Sequence, residues 1–150
     1  MAPTPVPWSL ALATIQLATR TIDAIQVGVR ADGFDDVTPL HGFAFMRIAA
    51  SSATTQQLAE YLGISKQASG QLVERLVHAG YLKRVPHPND QRAQLLELTN
   101  RGHACKAAAR AAAETSVHCW QDELTADQLK QFQSVLLTLT ATSTTVRPPL

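Results

Sequence analysis

Apolar residues recur at spacings of three, four and seven along most of this chain, interrupted once by alternating, strand-like sequence near residues 81–98. The first periodic run extends from about Trp8 to Arg30. Trp8, Leu12, Ile15, Ile22 and Val29 form one stripe, and Leu10, Leu17 and Ile25 a second. A helix apolar on more than one face must be covered on more than one side, which hints at a second subunit. Ala31–Val37 (ADGFDDV) breaks the pattern. Thr38 as N-cap and Pro39 as first helical residue then open a second helix to about Ala50, expected to bury Leu40, Phe43, Ala44 and Ile48. A linker, SSATT, leads to a third helix opened by the capping box of Thr54 and Gln57. It buries Leu58, Ala59 and Leu62 and stops at Gly63.

Ser65 caps a fourth helix whose expected core set is Ala68, Leu72, Val73, Leu76 and Val77, ended by Ala79-Gly80. Tyr81–Val85 predicts a strand, Pro86–Asp90 supplies turn chemistry, and Ala93–Leu98 predicts the returning strand. Thr99 caps an alanine-rich fifth helix from Asn100 to about Trp120. Thr125 with Gln128 opens a sixth, carrying Leu129, Phe132, Leu136, Leu137 and Leu139 on its apolar face. Prolines at 3, 5 and 7 make a flexible lead-in, with Pro7 suited to the first turn of the helix, and residues 143–150 should fray.

At 150 residues, 45% of them hydrophobic, the chain is of ordinary single-domain size and composition. A net charge of +1 does not by itself advertise a nucleic-acid partner. The distribution says more. Between residues 60 and 101 lie Lys66, Arg75, Lys83, Arg84, Arg92 and Arg101 against Glu60, Glu74, Asp90 and Glu97. The first forty residues instead carry Arg20 and Arg30 against Asp23, Asp32, Asp35 and Asp36.

Cys105 and Cys119 lie fourteen positions apart on one predicted helix. That separates them by roughly 21 Å, against the roughly 7 Å a disulfide tolerates between Cα atoms. A reducing cytoplasm fits. No basic leader precedes an apolar core, so a signal peptide is not expected. The Trp8–Val29 segment contains Arg20 and Asp23, which are costly in lipid, so no membrane partner is expected.

Two helices at a tight turn followed by strand, turn and strand make a winged helix-turn-helix. The fold class is therefore mainly α with a small β-hairpin. The resemblance goes further. The Leu58-Ala59-Glu60 of the third helix and Gly63 at the turn coincide in order and spacing with the MarR family of bacterial transcriptional regulators. So do Leu72-Val73, Arg75-Leu76, Gly80-Tyr81-Leu82, Asp90 and Arg92 of the wing, and Leu98-Thr99 with Gly102. The match covers about a third of the chain strongly, and the flanking helices match in number and length.

It implies a single domain in which segments of about 8–37 and 100–143 are dimerisation helices and about 38–99 is the DNA-binding lobe. It also implies a homodimer interlocked through the first, fifth and sixth helices, a fourth helix in the major groove and a wing reaching the minor groove. In this family a small-molecule effector usually weakens DNA binding. The expected function is a dimeric, sequence-specific regulator, a repressor of genes beside a pseudo-palindromic operator in double-stranded DNA. The alternative is a winged helix that binds proteins and no DNA, which would carry exposed aliphatic or aromatic residues on the fourth helix.

The fourth helix presents Ser65, Lys66, Gln67, Ser69, Gly70 and Gln71 near its N-terminus. Gln can bond adenine N6 and N7, and Lys can reach guanine or phosphate. Serines with a helix N-terminus suit phosphate. Outside this motif the same residues would read as a solvated face. Ser69 stands where a buried Val or Ile is usual in the family, and Gly70 where a polar residue is usual. Arg75 serves either the phosphate backbone or an ion pair with Glu74. On the wing, Arg92 suits the negative potential of a narrow minor groove, and Asp90 can hold its guanidinium; the bland reading is a hairpin salt bridge. His87 and Asn89 are lesser tip contacts.

For an effector pocket the matching segments offer His41, Phe45 and Arg47 on the second helix, with Ile15 and Arg20 opposite; ordinary core packing is the competing reading. His103 and Cys105 point different ways on a helix, and no Cys-x-x-Cys or His-x-x-x-His occurs, so neither metal nor cofactor is expected. No nucleophile elbow, phosphate loop or paired-carboxylate signature suggests an enzyme.

Overall fold

The computed structural model describes residues 7–141; the N-terminal proline lead-in through residue 6 and the tail from residue 142 lie outside the described residues. The elements are α1 (Pro7–Ala31), α2 (Pro39–Ala50), α3 (Thr55–Leu62), α4 (Lys66–His78), β1 (Leu82–His87), β2 (Asp90–Leu98), α5 (Asn100–His118), a 3-10 turn (Cys119–Asp122) and α6 (Ala126–Thr140). No described helix is long and apolar enough to cross a membrane.

Local side-chain chemistry sets most boundaries. The Thr54 hydroxyl accepts from the Gln57 backbone N–H at 3.2 Å, and Gln57 Oε1 accepts from the Thr54 N–H at 2.9 Å. Ser65, Thr99 and Thr125 cap α4, α5 and α6 in the same manner, each through its hydroxyl. Gly63 ends α3 at φ 64°, a left-handed turn that a residue without a Cβ takes without strain. This turn sets α4 against α3.

The core lies where α2, α3, α4 and the hairpin meet the C-terminal end of α1 and the start of α5. Val29, Phe45, Leu58, Leu62, Leu72, Leu76, Tyr81, Leu82 and Leu96 are all buried in one cluster. α1 and α5 run together so closely at Gly28 that a Cβ there would stand 2.4 Å from Cβ of Ala112. Tyr81 ties three elements together. Its ring packs on Phe45 at 5.5 Å between centroids, its hydroxyl donates to Asp36 Oδ1 at 2.5 Å, and Arg101 donates to that hydroxyl at 3.0 Å.

The hairpin differs from its expected form. β1 continues through Pro86 to His87 and β2 begins at Asp90, so the tip is only Pro88 and Asn89, with a bulge between Pro86 and His87. In a two-stranded sheet Pro86 lacks only an outward N–H, so its pairing with Gln94 survives. The linker before α3 also joins the sheet: Leu96 donates to the Ala53 carbonyl at 2.8 Å, a bridge that local sequence does not signal. The cores of two helices need correction as well. Phe45 replaces Leu40 and Phe43 as a fully buried residue of α2, and Ser69 replaces Ala68 and Val77 in α4.

Much apolar surface has no cover among the described residues. Trp8 is 75% exposed, Ile15 63%, Leu137 62% and Leu139 70%, and no residue of α6 is buried. Trp120 on Phe132, edge to face at 5.9 Å, is the main contact α6 receives.

Candidate nucleic-acid interface

α4 buries Ser69, Leu72, Val73 and Leu76 against the lobe. The opposite line, at spacings of four, three and four, is Gln67, Gln71, Glu74 and His78, all exposed. Lys66 and Ser65 are exposed at its N-terminus, where the first backbone N–H groups lack helical acceptors and can meet an anion. The Ser65 hydroxyl accepts from Ala68 N–H at 3.1 Å and keeps its own proton to donate. Gly70 is half-buried on the flank of this face, and a Cβ there would meet nothing within 4 Å.

Ser69 departs from the expected role. It is fully buried, and its Oγ donates to the Thr55 carbonyl at 2.8 Å. The hydroxyl therefore locks α4 to the start of α3 and faces away from any groove. A serine fits there because that carbonyl supplies the acceptor a buried hydroxyl needs.

The hairpin projects beside α4. Asp90 Oδ1 accepts the backbone N–H of Arg92 at 2.9 Å, and Asn89 N–H donates to His87 Nδ1 at 3.1 Å. The expectation that Asp90 holds the Arg92 guanidinium is therefore corrected. The nearby backbone donor competes for the carboxylate, as short polar side chains do in turns. This braces the tip and leaves the Arg92 guanidinium exposed, with no ion pair among the described residues.

Two further pairs, not anticipated from the sequence, fix the wing: Lys83 with Glu97 across the strands at 3.2 Å, and Arg84 with Glu74 of α4. Glu74 therefore pairs with Arg84 rather than with Arg75. Arg75 is exposed, and its charge reaches His41, whose imidazole is held below its ordinary pKa by burial first and Arg75 second. The neutral ring accepts the Thr38 N–H on Nδ1 at 3.2 Å, so His41 caps α2.

The five residues expected to form one effector pocket do not share a cavity. Ile15 is exposed, Arg20 lies in a recess with Cys119, Trp120 and Phe132, and Arg47 donates to Ser51 at 2.8 Å. Phe45 alone lines the apolar cavity of about 350 Å³ between α1, α2 and α5, with Ile25, Phe43, Met46 and Cys105. Gln26 also lines it, and its enclosed Oε1 has no hydrogen-bond partner among the described residues. The buried Cys105 thiol is pushed up to about 11, chiefly by desolvation, so it stays protonated at neutral pH. Both cysteines are unpaired. Among the described residues no group of three or more His, Cys, Asp or Glu is placed to hold a metal.

Known structures share this fold over most of its length, and sequence similarity is confined to its central part. The family model described as MarR family matches residues 35–93, from the loop before α2 to the wing. The multiple antibiotic resistance protein MarR of Escherichia coli (strain K12) is 30% identical over 88 residues. That alignment covers 58% of this chain and 61% of the relative, so the chain matches less than two thirds of the relative's length.

The wild-type apo form of E. coli MarR superimposes with a TM-score of 0.72 over 91% of this chain and 98% of that one, at 22% identity. RV1404 from Mycobacterium tuberculosis gives 0.80 over 95% and 98%, at 18% identity. A cysteine-to-serine mutant of E. coli MarR, solved in complex with operator DNA, gives 0.67 over 87% and 93%, at 22% identity. Motif and family model agree that residues 35–93 resemble the MarR family, and the superpositions show that the chain shares the fold of these structures.

Proposed function

We propose that this chain is a dimeric transcriptional regulator that binds a pseudo-palindromic operator in double-stranded DNA and represses the adjoining genes until a small molecule releases it. The observation that carries this reading is the pairing of two surfaces. The polar N-terminal face of α4, with Lys66, Gln67 and Gln71, stands beside a braced hairpin that leaves Arg92 exposed. No aliphatic or aromatic side chain interrupts that face, as a protein-docking helix would require. The related E. coli protein solved with operator DNA supports the same use of the fold.

The dimer rests on uncovered apolar area. Trp8, Ile15, Leu137 and Leu139 lie on the N-terminal half of α1 and on α6, and large apolar side chains left exposed on two long helices suit an interface. In the dimer, two α4 helices reach successive major grooves about one helical turn apart. Gly70 keeps the flank of α4 low for close approach, while Ser65, Arg75, His87 and Asn89 contact the backbone. Unpaired thiols suit a cytoplasmic site of action.

Selection from a random double-stranded oligonucleotide pool by the purified chain tests this reading. The expected result is enrichment of an inverted repeat with half-site centres about 10 base pairs apart. Recovery of unenriched sequence would leave the winged helix as a protein-binding module.

A further inference from the structure

The lobe of α2, α3, α4 and the hairpin joins the flanking helices at two places, the loop after α1 and the step from β2 into α5. Two crossings define a hinge, and Tyr81 touches both. It is 1% exposed, and its hydroxyl donates to Asp36 of the first crossing at 2.5 Å. Arg101, the second residue of α5, donates to the same hydroxyl at 3.0 Å and lies over the ring, 4.5 Å from its centroid. An ion pair between Arg101 and Asp36 at 3.8 Å closes the triangle. The backbone is equally close. A Cβ on Gly102 would lie 2.3 Å from the Tyr81 carbonyl, which also accepts the Thr99 N–H at 3.0 Å. Elsewhere the joint is apolar, with Val29 and Cys105 in one cluster with Phe45 and Leu82. Apolar attraction is non-directional and lets surfaces slip, whereas hydrogen bonds fix distance and angle.

We propose that the Tyr81 hydroxyl locks this hinge, and that Tyr81 is thereby the positioning residue that sets which operator half-site spacing the dimer accepts. This rests on the DNA-binding dimer proposed above and adds the residue that fixes its geometry. One base pair more or less between half-sites turns one of them by about 35° and shifts it by about 3.4 Å. A locked dimer meets that change only by deforming the DNA or giving up contacts, and a loosened one turns its lobes instead.

The test uses the full chain, the operator enriched from the random pool, and versions of it with one central base pair added or removed. The natural chain should bind each altered spacing about tenfold or more weakly than the best one. Tyr81→Phe keeps the ring on Phe45 and loses only the hydroxyl, so its penalty should fall to about threefold or less. Asp36→Ala should relax the preference in the same way. Asp36→Asn should keep it, because the amide oxygen still accepts the hydroxyl. A variant that is merely less stable loses affinity equally at every spacing, so the ratio between spacings reports the hinge alone. Unchanged penalties in Tyr81→Phe or in Asp36→Ala, or equal loss at every spacing, would overturn the proposal. Preference lost as fully in Asp36→Asn as in Asp36→Ala would assign the lock to the ion pair and overturn the role of the hydroxyl. A natural chain that binds the inverted repeat equally at all spacings would overturn this inference and leave DNA binding standing. Failure to enrich any inverted repeat would refute that reading and this inference with it.

Discussion

Gly70→Ala should move stability and DNA affinity in opposite directions. Gly70 lies inside α4, where a glycine is about 0.5–1 kcal/mol less favourable than alanine because its backbone loses more freedom on folding. The gain is realised only if the new methyl strains nothing, and a Cβ at this position meets no heavy atom within 4 Å. Chemical denaturation should therefore show each chain stabilised by about 0.5–1 kcal/mol, or a melting point higher by about 1–4 °C. Protein concentration must be held fixed, since a dimer's melting point depends on it. The space is empty in the chain because, on this account, DNA fills it. The same methyl should then weaken operator binding by about tenfold or more, equivalent to about 1.4 kcal/mol. Gain of stability with unchanged DNA affinity would refute close approach at this flank. Loss of stability would refute the packing geometry itself.

Ser69→Ala should lower stability and spare DNA affinity. It removes the bond to the Thr55 carbonyl, costs about 0.5–1.5 kcal/mol in denaturation, and leaves the affinity of folded protein for operator within about twofold. A large loss of affinity without destabilisation would reinstate Ser69 as a DNA contact. Asp36 makes stability depend on acidity. The Tyr81 hydroxyl first, and Arg101 further off, hold its carboxyl below the ordinary 3.8, while partial burial opposes them. A depressed folded pKa gives stability that is present above the unfolded value and lost as pH falls through the folded one. Asp36→Asn should therefore destabilise the chain at pH 7 by less than about 1 kcal/mol, the carboxylate being half exposed. The difference should shrink as acid titrates the carboxylate in the folded chain, and a gap that widens on acidification would contradict the assignment.

What could be read from the sequence was mainly what is local. Thr54 with Gln57, Ser65, Thr99 and Thr125 each bond a backbone group three residues away, so spacing alone located four helix starts. Gly63 and Gly80 both take the positive φ expected of helix-ending glycines. Ser69 was harder, because a serine near a helix start suits a groove or a buried carbonyl equally, and only the position of Thr55 decides between them. Asp90 is similar: its side chain had two donors on Arg92 to choose from, and the backbone one is closer to hand. The cavity was illegible for a different reason. Gln26, Phe43 and Cys105 come from three helices far apart in sequence, and no periodicity records which faces leave a gap. Fifth-helix length was overestimated by two residues, since alanine propensity runs on while the backbone tightens into a 3-10 turn at Cys119.

The claim at the centre of this account is that α4 and the wing grip DNA together. Operator affinity of the natural chain and of Arg92→Ala, measured from about 50 to 200 mM salt, tests it most directly. Arg92 is exposed at the hairpin with its backbone pinned by Asp90, so its truncation should leave folding intact. The variant should bind more weakly at every salt concentration. Its log–log salt slope should be shallower by about 0.9 per arginine, or about 2 for a dimer. Identical affinity and slope for the two proteins would contradict the account.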